Sequence, residues 1–307
     1  MLRFLAGKVT RGVVTLLIAV SAAFFLARGT GDPVREMLGD LAGPEQVAQL
    51  SAQLGLDRPL PVQYAAFVGD LATGDLGTSI RYGTPNLDLI LGWLPASLQL
   101  AAAAMVLAVL VGIPLGVWAA LREGRFADRF ASTVALTGQS IPLFWLGLML
   151  ILLFAVTLGW LPAGQSTGFS SLILPAVTLS TLPMAQIARL TRSSMSEVLG
   201  EAFLDATRAR GVARWRVVLV HALRNAALPV ITIIGLQTGT LLSGAITVEF
   251  VFAWPGLGTL ATQAVQMRDF SLIQAIVIFG AVVFVLVNLI VDLLYGILDP
   301  RIRDGVA

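Results

Sequence analysis

The sequence predicts an all-α membrane protein with six transmembrane helices. Hydrophobic residues make up 57% of the 307 and charged residues only 12%, where a soluble domain carries about 25% charged residues. Windows of about twenty apolar residues, long enough to cross a hydrocarbon core of about 30 Å, recur six times. Basic residues are concentrated in alternate loops: 15 of the 20 fall with the two termini and the even-numbered loops. Because cytoplasmic loops hold the excess of Lys and Arg, this predicts both termini in the cytoplasm.

The six runs span approximately Val9 to Ala27, Ala96 to Leu121, Thr133 to Leu158, Leu172 to Ala188, Leu228 to Phe250 and Ile273 to Leu298. The first follows a basic start and is a candidate secretion signal. It reads better as a retained helix, because no small-residue cleavage site follows it. Residues 29 to 95 form the longest connection, placed outside. Val47, Leu50 and Leu54 predict one short amphipathic helix there, and Val62, Ala65, Phe67 and Leu71 a second. Turn signals separate them at Gly31-Asp32-Pro33, Asp57-Arg58-Pro59-Leu60-Pro61 and Gly74-Asp75. The eight acids of this region, from Asp32 to Asp88, read as a solvated outer face in preference to a cation-binding surface. Prolines 114, 142, 175 and 183 interrupt the second to fourth runs, where neighbouring helices must satisfy the freed carbonyls. Gly112 and Gly116, four apart, predict close helix packing. Asp299-Pro300-Arg301 reads as a helix stop.

The chain lacks the residues for several chemistries. It has no cysteine and a single histidine, His221, so thiolate and histidine-cluster metal sites are excluded. Its one lysine, in Gly7-Lys8-Val9, lacks the hydroxyl and glycine loop of a P-loop, so ATP is not bound in that way. No serine has a base within reach, and Asp292 has no second intramembrane aspartate to make a protease dyad. No catalytic residue is expected. The net charge of +2 gives no reason to expect nucleic acid. Within the runs, Asn288 and Asp292 of the last, and Glu249 at the outer end of the fifth, are candidates for a pathway or for structural hydrogen bonds. Proton or sodium coupling usually needs more such groups and paired interrupted helices, so transport would take its energy from elsewhere.

One polar stretch has an internal logic that its flanks lack, Glu201 to Pro229. Ser194 followed by Glu197 is a capping-box pattern that predicts a helix start. Ala202, Ala206 and Ala209 fall at i, i+4 and i+7 and make one smooth face, with Glu197, Glu201 and Asp205 beside it. Gly211 predicts a left-handed break, followed by a second helix from about Ala213 to Asn225. Pro229 would then begin the next span. The alternative is an ordinary amphipathic loop.

This stretch closely resembles the EAA loop of bacterial ABC-transporter permeases of the dipeptide, oligopeptide and nickel importer family. The resemblance rests on Glu201-Ala202, Ala206-Thr207-Arg208-Ala209-Arg210-Gly211 and His221-Ala222-Leu223-Arg224-Asn225-Ala226-Ala227-Leu228-Pro229. Further similar stretches cover nearly the whole chain. They include Leu54-Gly55-Leu56-Asp57-Arg58-Pro59, Gly74 to Ser79, Pro142 to Gly147, Leu161 to Gly164, Glu249 with Phe252 to Gly258, and Asp292 to Gly296. Phe203 stands where shorter versions of the motif have alanine. The resemblance implies the type I importer permease fold: a cytoplasmic start and first helix over 1–28, an extracytoplasmic region over 29–94, a five-helix transmembrane domain over 95–298 with its coupling loop at about 189–227, and a cytoplasmic tail over 299–307. It implies a second homologous permease, two ATPase subunits that bind ATP and Mg, an extracytoplasmic substrate-binding protein and a surrounding lipid membrane as partners. Coupling would rest on Glu201, Ala202, Asp205, Ala206, Ala209 and Gly211. An ion-coupled carrier and a non-transporting scaffold are the competing readings, and the substrate stays open.

Overall fold

The computed structural model describes residues 2–29, 34, 38, 43–53, 55–166 and 168–298. The Gly31-Asp32-Pro33 turn, Leu54 and the Asp299-Pro300-Arg301 stop lie outside the described residues. Those described are helical, with a single β-bridge, Thr78 to Pro85, as their only strand-like pairing. In chain order the helices are α1 (Leu2–Gly29), α2 (Pro44–Gln53), α3 (Leu60–Ala72), α4 (Asn86–Ala120), α5 (Phe126–Ser140), α6 (Leu143–Leu150), α7 (Phe169–Leu199), α8 (Ala202–Ala209), α9 (Arg214–Arg216), α10 (Leu223–Val251), α11 (Leu257–Gln266) and α12 (Phe270–Leu298). Two π-helical segments, Ile151–Thr157 and Val217–Ala222, continue α6 and lead into α10. Among the described residues five helical stretches are long and apolar enough to cross a membrane, and Leu143–Thr157 is a shorter sixth.

The chain packs as two compact units, one of residues 1–95 and 259–289, the other of 96–258 and 290–307. In the first, α1 and α12 meet at Gly12, where an added Cβ would lie 2.8 Å from Val285. Gln274 bonds the Ala23 carbonyl at 3.0 Å. The two outer helices expected around Val47 and Val62 are α2 and α3. The second docks on α1 through a fully buried Phe24, whose ring meets Tyr64 and Phe67 at 5.2 and 5.5 Å. The Ser21 and Tyr64 hydroxyls bond at 2.8 Å. Asp269, fully buried before α12, accepts from the Leu272 N–H at 3.1 Å as a helix cap. It also accepts from the Ser79 hydroxyl at 2.5 Å and the Arg81 N–H at 3.1 Å, which fastens the 77–81 loop to the start of α12.

In the second unit α7 is central: 67% of its most apolar window is buried. Pro175 and Pro183 both lie inside it. Gly112 and Gly116 of α4 are packed against its backbone, as their spacing predicts. A Cβ at Gly116 would stand 2.5 Å from the Ala188 carbonyl and 2.6 Å from Thr191 Cβ, and one at Gly112 would stand 2.9 Å from the Met184 carbonyl. Only hydrogen fits at such approaches.

Three sequence expectations change. The run Thr133 to Leu158 is not one helix: Pro142 forces Ile141 into an extended conformation (φ −82°, ψ 125°), so α5 stops at Ser140 and the apolar crossing begins at Leu143. The capping box at Ser194 and Glu197 starts nothing, because α7 runs through both to Leu199 with Ser194 buried. Packing of the apolar face of α7 outweighs the local cap signal there. Pro229 does not open a span either; it lies inside α10, whose first residue is Leu223. The proline removes one ladder bond, to the Asn225 carbonyl, a loss that neighbouring groups in a helix bundle can offset.

Candidate functional site

The Glu201–Pro229 segment is built around one buried side chain that the alanine pattern did not reveal. Glu201 is the N-cap of α8, in extended conformation and without a side-chain cap bond. Leu204 is fully buried and joins Val117 and Ala120 of α4, Met195 of α7, Val217, Val218 and Ala222 of the second π segment and Ala226 of α10 in one cluster. At about 100° per residue, Ala202, Ala206 and Ala209 fall on the opposite side of α8, and all three are exposed. Thus α8 is held by one leucine and presents a smooth small-residue face outward. Gly211 has φ +78° with no atom within 4 Å of an added Cβ, so conformation alone, and not space, demands glycine.

The acids do not form the continuous stripe that their spacing suggested. Glu197 belongs to α7, while Asp205 pairs within α8 with Arg208 at 2.8 Å. Both partners of that pair are largely exposed, which limits it to about 0.5 kcal/mol. His221 lies in the π segment, half-buried, and its carbonyl accepts the Asn225 side chain at 2.7 Å. Close to this segment, Arg192 of α7 makes two bonds to Asp128 of α5, whose carboxylate also caps the Gly124 N–H at 2.9 Å. That latch ties the α4–α5 turn to α7. Its partners lie 64 residues apart, a pairing that no local pattern announces.

Glu249 sits in a knot at the other end of α10. It is 1% exposed and accepts the Ser97 hydroxyl and the Gly258 N–H, each at 2.6 Å. Ser97 in turn accepts the Leu257 N–H at 2.8 Å. A Cβ at Gly256 would come within 2.5 Å of the carboxylate, so the loop closes on it as bare backbone. Trp254, 1% exposed, donates its indole N–H to the Ala96 carbonyl at 2.8 Å. The Gln165 backbone N–H donates to the Phe252 carbonyl at 3.0 Å, directly after the Leu161 to Gly164 stretch. Two motifs far apart in sequence and the Ala96-Ser97 pair are therefore one assembly, with Ser97 and Gln165 as members that sequence reasoning missed. Asn288 bonds back to the Phe284 carbonyl at 2.9 Å within its own helix. Asp292 is on α12, and its side chain lies outside the described set.

Comparison with known proteins identifies the family. Residues 112–304 match the model of the binding-protein-dependent transport system inner membrane component, and residues 1–101 match its N-terminal companion. The chain is 42% identical to the dipeptide transport system permease protein DppB of Escherichia coli K12, over 99% of each chain. It is 43% identical to the glutathione transport system permease protein GsiC of Salmonella paratyphi A, over 94% of each. Among solved structures it resembles the inward-facing MetNI methionine ABC transporter, with TM-score 0.56 at 19% identity over 69% of this chain and 97% of that one. An amino acid ABC transporter with histidines gives TM-score 0.55 at 17% identity, over 68% and 94%. These two share the fold. With matched family models covering most of its length and full-length relatives above 40% identity, the chain belongs to the binding-protein-dependent transport system inner membrane components, the multi-pass permease subunits of ABC importers.

Proposed function

We propose that this permease forms, with a second homologous permease, the pathway of a short-peptide importer, and that α8 is the helix through which an ATPase subunit drives it. Both named relatives carry peptides, glutathione being itself a tripeptide. An extracytoplasmic binding protein would deliver the solute, and two partner ATPases would bind ATP and Mg. The observation that carries the coupling reading is the geometry of α8: three exposed alanines opposite one buried leucine. A small-residue face lets a helix seat deeply in a groove, while Leu204 transmits its displacement to the ends of α4, α7 and α10. Glu201 is left exposed to meet the groove wall, whereas Asp205 must first leave Arg208. In this reading the termini and α8 face the cytoplasm, 29–94 faces outward, and exposed Arg189, Arg210, Arg214, Arg216 and Arg224 line the inner surface. Glu249 serves as a structural keystone outside the pathway.

The test is the whole complex in vesicles, with ATP supplied to the ATPases and binding protein on the opposite side. Wild type takes up a labelled dipeptide only when both are present. Gly211→Leu inserts and assembles, but loses stimulation of ATP hydrolysis by loaded binding protein, and uptake falls about tenfold, because a bulky residue in the left-handed region costs about 1–2 kcal/mol. Wild-type stimulation and uptake in that variant would sink the coupling role of the α8–α9 joint.

A further inference from the structure

A polar network at mid-length of α7 and α10 is used by neither the coupling segment nor the Glu249 knot. Gln237 is the central residue of α10 and 5% exposed. Gln186 lies two residues past the centre of α7 and is half-buried. The Gln237 side-chain amide donates to Gln186 Oε1, and Gln237 Oε1 accepts the Thr240 hydroxyl at 2.5 Å. Thr240 itself is exposed. The network is therefore sealed at Gln237 and open at its two ends. Among the described residues each open end keeps a different uncommitted group: Gln186 its side-chain N–H2, a donor, and Thr240 the lone pairs of an oxygen whose proton is already shared between Gln237 Oε1 and the Gln237 carbonyl, an acceptor. On α5, beside Gly138 where that helix approaches α7, Gln139 holds a buried side-chain nitrogen with no acceptor among the described residues.

Amides and hydroxyls at the middle of membrane-spanning helices are unfavourable against lipid and mark faces that meet water, protein or solute. A single bond between two primary amides leaves the Gln186 N–H2 for a further acceptor, and Thr240 Oγ at the other end keeps lone pairs for a further donor. A donor beside an acceptor, with no formal charge, complements the carbonyl and N–H of a peptide group. Being neutral, it holds neither charged terminus of a peptide, as suits a contact that must also release its ligand.

We propose that Gln186, Gln237 and Thr240 form a mid-membrane station that recognises the backbone amide of the transported peptide. This rests on the peptide-import reading above. The donor is the Gln186 amide, the acceptor is Thr240 Oγ, and Gln237 fixes both.

The test uses the complete transporter in vesicles and two substrates, a dipeptide and the same dipeptide methylated at its amide nitrogen. Thr240→Val removes the acceptor at an exposed position without changing shape. It lowers uptake of the ordinary dipeptide about tenfold, the effect of one lost hydrogen bond, and uptake of the methylated one by at most about twofold. Taking each substrate's ratio of variant to wild type cancels discrimination by the binding protein. Because the chain has no cysteine, Thr240→Cys gives it a single thiol. A water-soluble thiosulfonate labels that thiol, and dipeptide during turnover protects it; this measurement decides alone if the methylated dipeptide is not carried. Equal loss of both substrates, labelling without protection, or no labelling in any state overturns the station and leaves only a helix–helix bond. A wild-type complex that takes up no peptide at all overturns the peptide reading itself, and the station with it.

Discussion

Removing the Glu249 carboxylate should be among the most damaging single changes in the permease, by an amount that the knot around it sets. Glu249→Ala leaves the Ser97 hydroxyl and the Gly258 N–H without their acceptor in a site 1% exposed. Each orphaned buried group costs about 1–3 kcal/mol, so the loss is about 2–6 kcal/mol before any cavity is counted. Glu249→Gln behaves differently. Its one remaining oxygen can still accept the Gly258 N–H, while its new N–H2 faces a serine that already accepts the Leu257 N–H at 2.8 Å and must redirect its own proton. One hydrogen bond is lost, about 1–2 kcal/mol. Thermal unfolding in detergent, followed by the fraction that stays monodisperse, should therefore rank wild type, then Gln, then Ala, with a clear gap at each step. Uptake per folded complex should stay near wild type in the Gln variant, because a keystone acts through folding. An Ala variant as stable as wild type refutes the hydrogen-bond reasoning. A Gln variant of full stability that no longer transports would move Glu249 from the scaffold to the pathway.

Three further outcomes follow from packing. Gly116→Val drives a side chain into the Ala188 carbonyl and Thr191, an overpacking that typically costs about 1–3 kcal/mol; a large drop in detergent melting temperature, with Gly7→Val as a near-neutral control in open space, checks it. Leu204→Ala empties the anchor of α8 and costs about 2–3 kcal/mol, the low end for buried leucine because an eight-residue helix can settle. The sharper readout is ATP hydrolysis that no longer responds to loaded binding protein while the permease still co-purifies with its ATPases. Asp128→Asn and Arg192→Gln, alone and combined, should show a coupling of about 1 kcal/mol in a double-mutant cycle, modest because Arg192 is one-third exposed; a coupling of zero would mean that the latch is incidental.

Much of the architecture was legible because the membrane imposes it. Length and apolarity placed the spans, the four-residue glycine spacing marked a close helix contact on α4 without naming α7 as its partner, and Gly211 was recognisable because few other residues take its conformation. Two of the three corrections share one physical cause. Local signals at Ser194 and Pro229 were read as helix boundaries, whereas helix packing carries α7 five residues beyond Ser194 and α10 through Pro229. At Pro142 the reverse held: the backbone restriction won over an apolar run that had suggested continuity. The site was half legible. Alanine periodicity marked the exposed face of α8, but nothing local marks Leu204 as its anchor, Ser97 as the partner of Glu249, or Arg192 as that of Asp128. Those pairings lie far apart in sequence and exist only once the bundle has formed.

The placement of these features along α10 gives that helix a direction of action. At one end Glu249 and Trp254 fix it in a buried hydrogen-bonded cluster. At the other, α8 is attached through a single leucine and a glycine joint. Between them the backbone ladder is weakened twice in succession, by the π turn at Val217–Ala222 and by Pro229, which lacks its N–H. A force applied at α8 therefore meets the least resistance between Val217 and Pro229 and the most at Glu249. Bending there displaces the α8 side of the hinge, while Gln237, bonded to Gln186, lies on the side that the Glu249 cluster holds. The uncharged polar groups at mid-length therefore stand just beyond the weak stretch, between it and the end that Glu249 fixes.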